Sequence, residues 1–512
     1  MGTNSEKLGM LKLAGAETID PLRSLLKSSG LYALSSVTLP LISLVLAPFL
    51  THTLSPFDYG VLTVLNTSIS LTAGITQLGL GSAFFRAYSY DYSSEHDRRA
   101  VTGTVVMLLC LVSLPLISLI VLTAPLLAGL LLGRSSLGNA VALAATALLL
   151  QNLTVPGFAW LRAESRALFY SLLSIGNLLV TLLANVILVG VLHMGLAGSL
   201  LATGCGYGCV LVCTLPWLLL RSLFSIRADI MRNLLSFGLP LVVSFLSTWV
   251  LQLSDRYLLS IFSSFAETAK YAVAYTLGSA MGVVVLGPFT LAWPTAVYAI
   301  AKREDASHIF KLVFRWFGLF LLFSTFALSL VGIIVLDLLF PASYHSGANI
   351  IPIVASSVAF YGIAYVFGAG TILTRKTWWS IIFTVVAAAV NVALNLALIP
   401  FFGAMGAAVS TLVAYVIYAL IAYVVNQRIY PVPFETGIFF VALVIGVMLY
   451  IGSDTLGRRF GLYAAWAISA GTLIVYGGFL ALLVGHLSGT RFGLRKIKAL
   501  VGTYVMKDAL KS

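Results

Sequence analysis

From Tyr59 to Thr203 and again from Tyr271 to Thr411 the chain runs through one hydrophobic plan twice, with corresponding residues roughly 210 positions apart. The clearest match sets the stretch from Met194 to Thr203 against that from Phe402 to Thr411, so that Gly195, Gly198 and Thr203 fall on Gly403, Gly406 and Thr411. Upstream, Arg166 meets Lys376 and Asn185 meets Asn395. Two like halves, neither able to bury its surface alone, can rock against one another about a shared centre, which is how alternating access is commonly built. The repeat therefore points to a transporter rather than an enzyme.

The solvent follows from composition. With 60% hydrophobic and 9% charged residues and a mean hydropathy of +1.02, the chain belongs in a bilayer. About 14 apolar stretches are long enough to span a hydrocarbon core as helix, which takes roughly 20 residues. They lie near 28–52, 58–84, 100–124, 138–161, 167–190, 195–220, 234–262, 268–298, 310–338, 348–372, 378–400, 404–426, 434–452 and 461–487. Their continuity excludes barrel strands, which alternate over about 10 residues. The expected fold is an all-α polytopic membrane protein with two pseudo-symmetric six-helix lobes and two extra C-terminal helices. The expected divisions are a cytoplasmic amphipathic segment at 1–27, an N-lobe at 28–222, a C-lobe at 223–430, two further spans at 431–490 and a basic tail at 491–512.

The net charge of +13 suits topology better than nucleic acid. With the first residues in the cytoplasm, 25 of the 30 lysines and arginines fall at the termini or in connections on that same side, leaving Arg134, Lys270, Arg458 and Arg459 opposite and Arg256 within a span. This positive-inside bias fits an even number of spans with both termini cytoplasmic, in a multi-pass protein of the cell membrane. No signal peptide is legible, and the first span serves as insertion signal. Cys205, Cys209 and Cys213 form a small-residue stripe on one helix, and neither they nor the scattered histidines have metal-ligand spacing, so no metal or cofactor is expected. Membrane polymerases and glycosyltransferases need an aqueous loop for paired acids or a nucleophile and base, whereas the longest connections here are roughly 15 residues. There is no P-loop. A non-enzymatic protein, driven by an ion gradient, the membrane potential or removal of product, is the expectation.

Several segments then carry a family likeness. Thr53-Leu-Ser-Pro-Phe-Asp-Tyr-Gly60 and Gln77-Leu-Gly-Leu-Gly-Ser-Ala-Phe-Phe-Arg86 open it, and Leu235-Ser-Phe-Gly-Leu-Pro240, Leu253-Ser-Asp-Arg256, Tyr271-Ala-Val-Ala-Tyr275 and Asn395-Leu-Ala-Leu-Ile-Pro400 continue it. Across residues 25–430 the chain resembles the polysaccharide flippase branch of the multidrug/oligosaccharidyl-lipid/polysaccharide exporter superfamily. The resemblance implies a central cavity between two lobes and, as cargo, an oligosaccharide on an undecaprenyl pyrophosphate carrier, moved from the inner to the outer leaflet. It implies membrane lipids and a polysaccharide polymerase or glycosyltransferases as partners, no nucleic acid, and a monomer. The lipid II flippase is less similar, since its first span is expected to carry arginine and Leu31 to Thr51 has none. Cation-coupled multidrug antiporters usually have acidic residues within the first lobe, where here Asp58 and Glu164 both fall at span ends. A non-transporting subunit of a membrane polysaccharide synthase is the remaining alternative.

Candidate site residues follow from polarity inside spans. Arg86 and Arg162, ending the second and fourth spans, are candidates for the pyrophosphate because a guanidinium fork matches phosphate oxygens; Arg86 is alternatively a topology anchor. Asp255 and Arg256 are candidates for gating or ion coupling, the alternative being a lobe-locking contact or a snorkelling pair near the outer surface. Adjacent on a helix, they point about 100° apart, so each is expected to meet its own partner. Gln77, Gln151, Asn152 and Gln252 with Tyr275 and Trp293 are candidates for sugar contact, since a buried amide needs a partner and aromatic rings stack on sugars. Asn185 and Asn395, matched by the repeat, read as structural.

Overall fold

In the computed structural model, residues 45–223, 226–376, 378–457, 459–460 and 462–487 are described. The expected amphipathic N-terminal segment, most of the first span and the basic tail lie outside them. A helix, α1, occupies 45–53. It is followed by α2 (Pro56–Thr76), α3 (Leu80–Arg86), α4 (Glu95–Leu122), α5 (Ala124–Leu132), α6 (Gly138–Ala163), α7 (Ala167–Asn185) and α8 (Gly195–Arg221). The second half contains α9 (Ala228–Phe262), α10 (Phe265–Gly278), α11 (Gly287–Ala301), α12 (Ala306–Leu339), α13 (Ile350–Phe367), α14 (Ala369–Leu373) and α15 (Trp378–Ile429), then α16 (Thr436–Gly457) and α17 (Leu462–Leu487). There is no strand among the described residues.

Among the described residues twelve helices are long and apolar enough to cross a membrane. One of them, α15, runs for 52 residues and reverses at Gly403, where φ is 53° and ψ −131°, so it supplies two spans. The expected first span is described only from residue 45 on, as α1. Helix starts follow local chemistry. Ser55, Ser94 and Ser264 each accept a hydrogen bond from the backbone N–H three residues on, at Asp58, Asp97 and Glu267, and the acid at that third position also suits the positive helix end.

The sequence repeat is also a repeat of backbone conformation. Ser165 (φ 55°) and Arg375 (φ 58°) are both left-handed, as are Gly195 (φ 56°) and Gly403 (φ 53°). The turn at the first pair closes with the same bonds, Arg166 N to Leu161 O at 2.8 Å and Lys376 N to Thr371 O at 3.0 Å. In the helical hairpins that follow, a Cβ on Gly198 would lie 3.1 Å from the backbone of Leu188, and one on Gly406 2.7 Å from that of Leu398. Asn185 and Asn395 are fully buried. Each donates its amide four residues back, to Thr181 O and Asn391 Oδ1, and each leaves its own Oδ1 unpaired.

The end carrying Arg86, Arg98, Arg99, Arg162, Arg166 and Arg221 is called the basic end here. At the opposite end the halves share one apolar core, in which Val61, Leu62 and Leu65 of α2 meet Tyr271, Val273 and Leu277 of α10 and Ile351 of α13. Phe57 packs edge-on to Phe265 at 5.3 Å. At the basic end the cores are separate. One joins α3, α4 and α6 with Ile230 and Leu234 of α9; the other lies within the second half, from Leu251 of α9 through α17. The halves therefore share a core at one end and keep separate cores toward the basic end.

The helix α9 belongs by sequence to the second half, yet its start is fastened to the first. Arg227 pairs with Asp97 at 2.6 Å, Asn233 donates to Asp91 at 3.2 Å, and Leu223 N donates to Arg99 O at 3.1 Å.

Candidate functional site

Two of the polar cavities among the described residues are lined by the candidate residues. The first, about 270 Å³, sits between the halves and is lined by Thr63, Asn66 and Thr67 of α2, Arg256 of α9 and Thr276 of α10, with Leu46, Ala47 and Leu50 of α1. On α2 the polar residues recur at i, i+3 and i+4, one face of a helix. Arg256 is 7% exposed and Asp255 1%. Here the structure corrects the expectation of separate partners. Arg256 Nη1 donates to Asp255 Oδ1 at 3.0 Å and to Gln252 O at 2.9 Å, while Tyr271 donates to Asp255 Oδ2. A long side chain can turn back along its own helix, and burial makes leaving either charge unpaired costlier than that turn. Nor does the pair snorkel. The guanidinium lies over the ring of Tyr275 at 4.5 Å, and its Nε and Nη2 have no hydrogen-bond partner among the described residues. Gln252 and Tyr275 thus belong to the support of Arg256.

The second cavity, about 280 Å³, lies inside the first half and is lined by Gln77, Gln151, Arg162, Tyr170, Asn177 and Tyr207 among others. An adjoining space of about 320 Å³ shares Gln77, Gly81 and Gln151 with it and reaches Leu241, Val242 and Phe245 of α9. The helix break that separates α2 from α3 opens this region. Leu78 (φ 51°) and Gly79 (φ 65°) are left-handed, and α9 approaches so closely that a Cβ on Gly79 would lie 2.9 Å from the Cα of Gly238, while one on Gly238 would strike the carbonyl oxygen of Leu78. Tyr170, Ser174 and Asn177 line the cavity from one face of α7. Their i, i+4, i+7 spacing was available in the sequence as a polar stripe.

Of the other candidates, Asn152 is fully buried and faces neighbours rather than a cavity. It donates to Thr76 Oγ1 at 2.8 Å and Ser113 Oγ at 3.0 Å and accepts from Gln77 Nε2 at 3.1 Å, tying α2, α4 and α6 together. Trp293 is 3% exposed, stacks on Phe289 and donates to Tyr365 O at 2.9 Å. It packs α11 and lines neither cavity. Arg86 stands at the seam of α3 and α9, over Phe237 at 4.9 Å and 3.5 Å from Asp91. Arg162 is exposed and lies over Phe85 at 5.3 Å. The structure thus brings Gln77, Gln151 and Arg162 together, gathers Asp255, Arg256, Gln252 and Tyr275 elsewhere, and leaves Arg86 apart from both groups. Among the described residues no cluster of His, Cys, Asp or Glu is placed to hold a metal ion.

A polytopic bundle of two like halves enclosing polar cavities defines a membrane transporter. The chain belongs to the family of polysaccharide biosynthesis proteins, whose sequence profile matches residues 25–298. No curated protein matches the chain significantly. Among solved structures it is similar to the lipid II flippase MurJ in an inward closed conformation, with 12% identity, a TM-score of 0.71, and coverage of 91% of this chain and 100% of that one. It is also similar to the Vibrio cholerae MATE transporter VcmN (15% identity, TM-score 0.57, 79% and 96% covered). An inward-facing multidrug resistance MATE family transporter is a further match (15%, 0.59, 77% and 97%). At such identities these likenesses establish the fold.

Proposed function

We propose that the protein translocates an undecaprenyl-pyrophosphate-linked oligosaccharide across the cell membrane by alternating access, as a step in polysaccharide biosynthesis. The observation that carries this reading is Arg256, held by Asp255 yet presenting unpaired donors to a polar cavity between the halves. A pyrophosphate drawn into a low-dielectric cleft needs fixed positive charge, because opposite charges interact far more strongly there than in water. Charge-assisted donors of this kind suit phosphate oxygens. The polyprenyl tail remains in lipid at the gap between the halves. In this reading the basic end, favoured on the cytoplasmic side by the bias of lysine and arginine, faces the compartment where the substrate is made, and the separate cores at that end suit opening toward it.

The test is leaflet exchange in proteoliposomes holding the full chain, using a fluorescent polyprenyl-pyrophosphate oligosaccharide and a membrane-impermeant quencher. Protein-dependent exchange supports the reading. No exchange, together with dye export against an ion gradient, would replace it with multidrug antiport. Exchange only of lipid II would make the chain a lipid II flippase. No exchange of any lipid, with a glycosyltransferase copurifying, would favour a synthase subunit.

A further inference from the structure

The cavity inside the first half has a chemistry that the repeat makes unusual. Its lining contains three side-chain amides, Gln77, Gln151 and Asn177, the phenols of Tyr170 and Tyr207, and one charge, Arg162; no carboxylate lines it. The nearby Glu164 accepts from Tyr88 at 2.6 Å. Arg162 lies over the face of Phe85 at 5.3 Å, a contact that does not use the donors around the guanidinium edge. Gln151 Oε1 is buried and has no partner. Buried amide oxygens normally have one, so this group is poised for a donor that the protein does not supply.

The second half shows how the same scaffold looks when closed. At the register set by Ser165 and Arg375, Gln151 corresponds to Tyr361, Val155 to Tyr365, Arg162 to Ile372 and Asn177 to Ala387. There Tyr361 packs against Tyr365 at 5.2 Å, Tyr415 at 5.2 Å and Tyr418 at 5.7 Å, and rings occupy the space. Tyr415 is itself the counterpart of Tyr207 at the register of Gly195 and Gly403. The helix plan therefore permits a filled core, and the first half instead keeps a space lined with amides and one unpaired cation. At about 280 Å³ it lies just under the range of small-molecule sites, which starts at about 300 Å³, a size for one sugar ring rather than a chain. The adjoining space of about 320 Å³ extends it toward α9.

We infer that this cavity is a subsite for one carboxylated sugar residue of the lipid-linked glycan. The carboxylate pairs with Arg162, and the ring hydroxyls donate to Gln151 and exchange hydrogen bonds with Gln77 and Asn177. The inference rests on the flippase reading above and adds the class of glycan.

The test uses the full chain in lipid nanodiscs and two synthetic polyprenyl-pyrophosphate trisaccharides that differ at one residue, glucuronate in one and glucose in the other. Wild-type protein should bind the glucuronate lipid roughly tenfold more tightly, the order expected when a charge-assisted pair is lost. Arg162→Gln should remove the preference, so that the glucuronate and glucose lipids bind equally, and Arg162→Lys should keep part of it. Gln151→Tyr, which copies the closed half, should abolish the preference while binding of sugar-free polyprenyl pyrophosphate persists. Arg162 is exposed, so its variants keep the test decisive if Gln151→Tyr fails to fold. Equal binding of the two lipids by wild type, or a preference that survives Arg162→Gln, overturns the subsite and leaves the flippase reading standing. Absence of binding and leaflet exchange for both lipids overturns the two together.

Discussion

Replacing Asp255 by Asn removes one charge from a pair in which the carboxylate is 1% and the arginine 7% exposed. The asparagine can still accept from Arg256 and meet Tyr271, so the hydrogen bonds largely persist and the main loss is the countercharge. An uncompensated buried charge costs about 3–5 kcal/mol. Arg256 borders the cavity between the halves, and water there relieves part of that cost, so about 3 kcal/mol is the figure expected, roughly a 140-fold shift in the folding equilibrium. In a chain of this size this corresponds to a fall in Tm of about 3–6 °C. The assay is thermal unfolding of purified protein in detergent, with Asp255→Asn, Arg256→Met and the double variant side by side. Removing both charges should recover at least half of the loss, because coupled partners do not add. A Tm for Asp255→Asn within about 1 °C of wild type, or a double variant as unstable as the two single losses combined, would refute the claim that the pair is energetically coupled.

Two further outcomes follow from particular contacts. Arg315 and Lys311 both bind Glu435, and the hydrogen bonds from Arg315 foremost hold its carboxyl below the ordinary 4.5; a depressed folded-state value stabilises above about pH 4.5 and is lost as the pH falls through it. Glu435→Gln should therefore cost about 1.5–3 kcal/mol near pH 7, with its gap in Tm from wild type narrowing toward pH 3.5. An unchanged gap across that range would show that the carboxylate charge is not what stabilises. Gly238→Ala places a methyl against the backbone of Leu78 and Gly79, which cannot turn aside, and should cost about 1–3 kcal/mol by overpacking. Gly282→Ala, whose methyl would meet Val358 at an ordinary 3.6 Å, is the control, and equal Tm values for the two variants would refute the close-approach argument.

What was legible in the sequence was whatever is linear along it. Span positions follow from runs of apolar residues, and the repeat pairs such as Gly198 with Gly406 reappear as the same close hairpin contact. What was not legible depends on which helix faces meet. Asn152 and Gln151 are neighbours in the chain, yet one is consumed by Thr76 and Ser113 and the other opens into a cavity, a distinction set by packing around α6. The pairing of Asp255 with Arg256 escaped an argument from helical angle because that argument treats side chains as short spokes. The polar face of α7 was visible as spacing, but that it borders empty space rather than another helix is a property of the whole bundle.

The fastening of α9 has a mechanical consequence. Its basic end is bonded to the first half through Asp97, Asp91 and Arg99, while near its far end Asp255 is held by Tyr271 of α10. The helix thus acts as a crank shared by two bodies. A rotation that spreads the halves at one end loads it with torque along its length, and its weakest section is at Gly238 and Pro240, where a residue without a side chain is followed by one without an N–H. Bending there displaces the carbonyl of Gly238 against Gly79, so strain in the crank is delivered directly to the left-handed break between α2 and α3, beside the cavity of the first half.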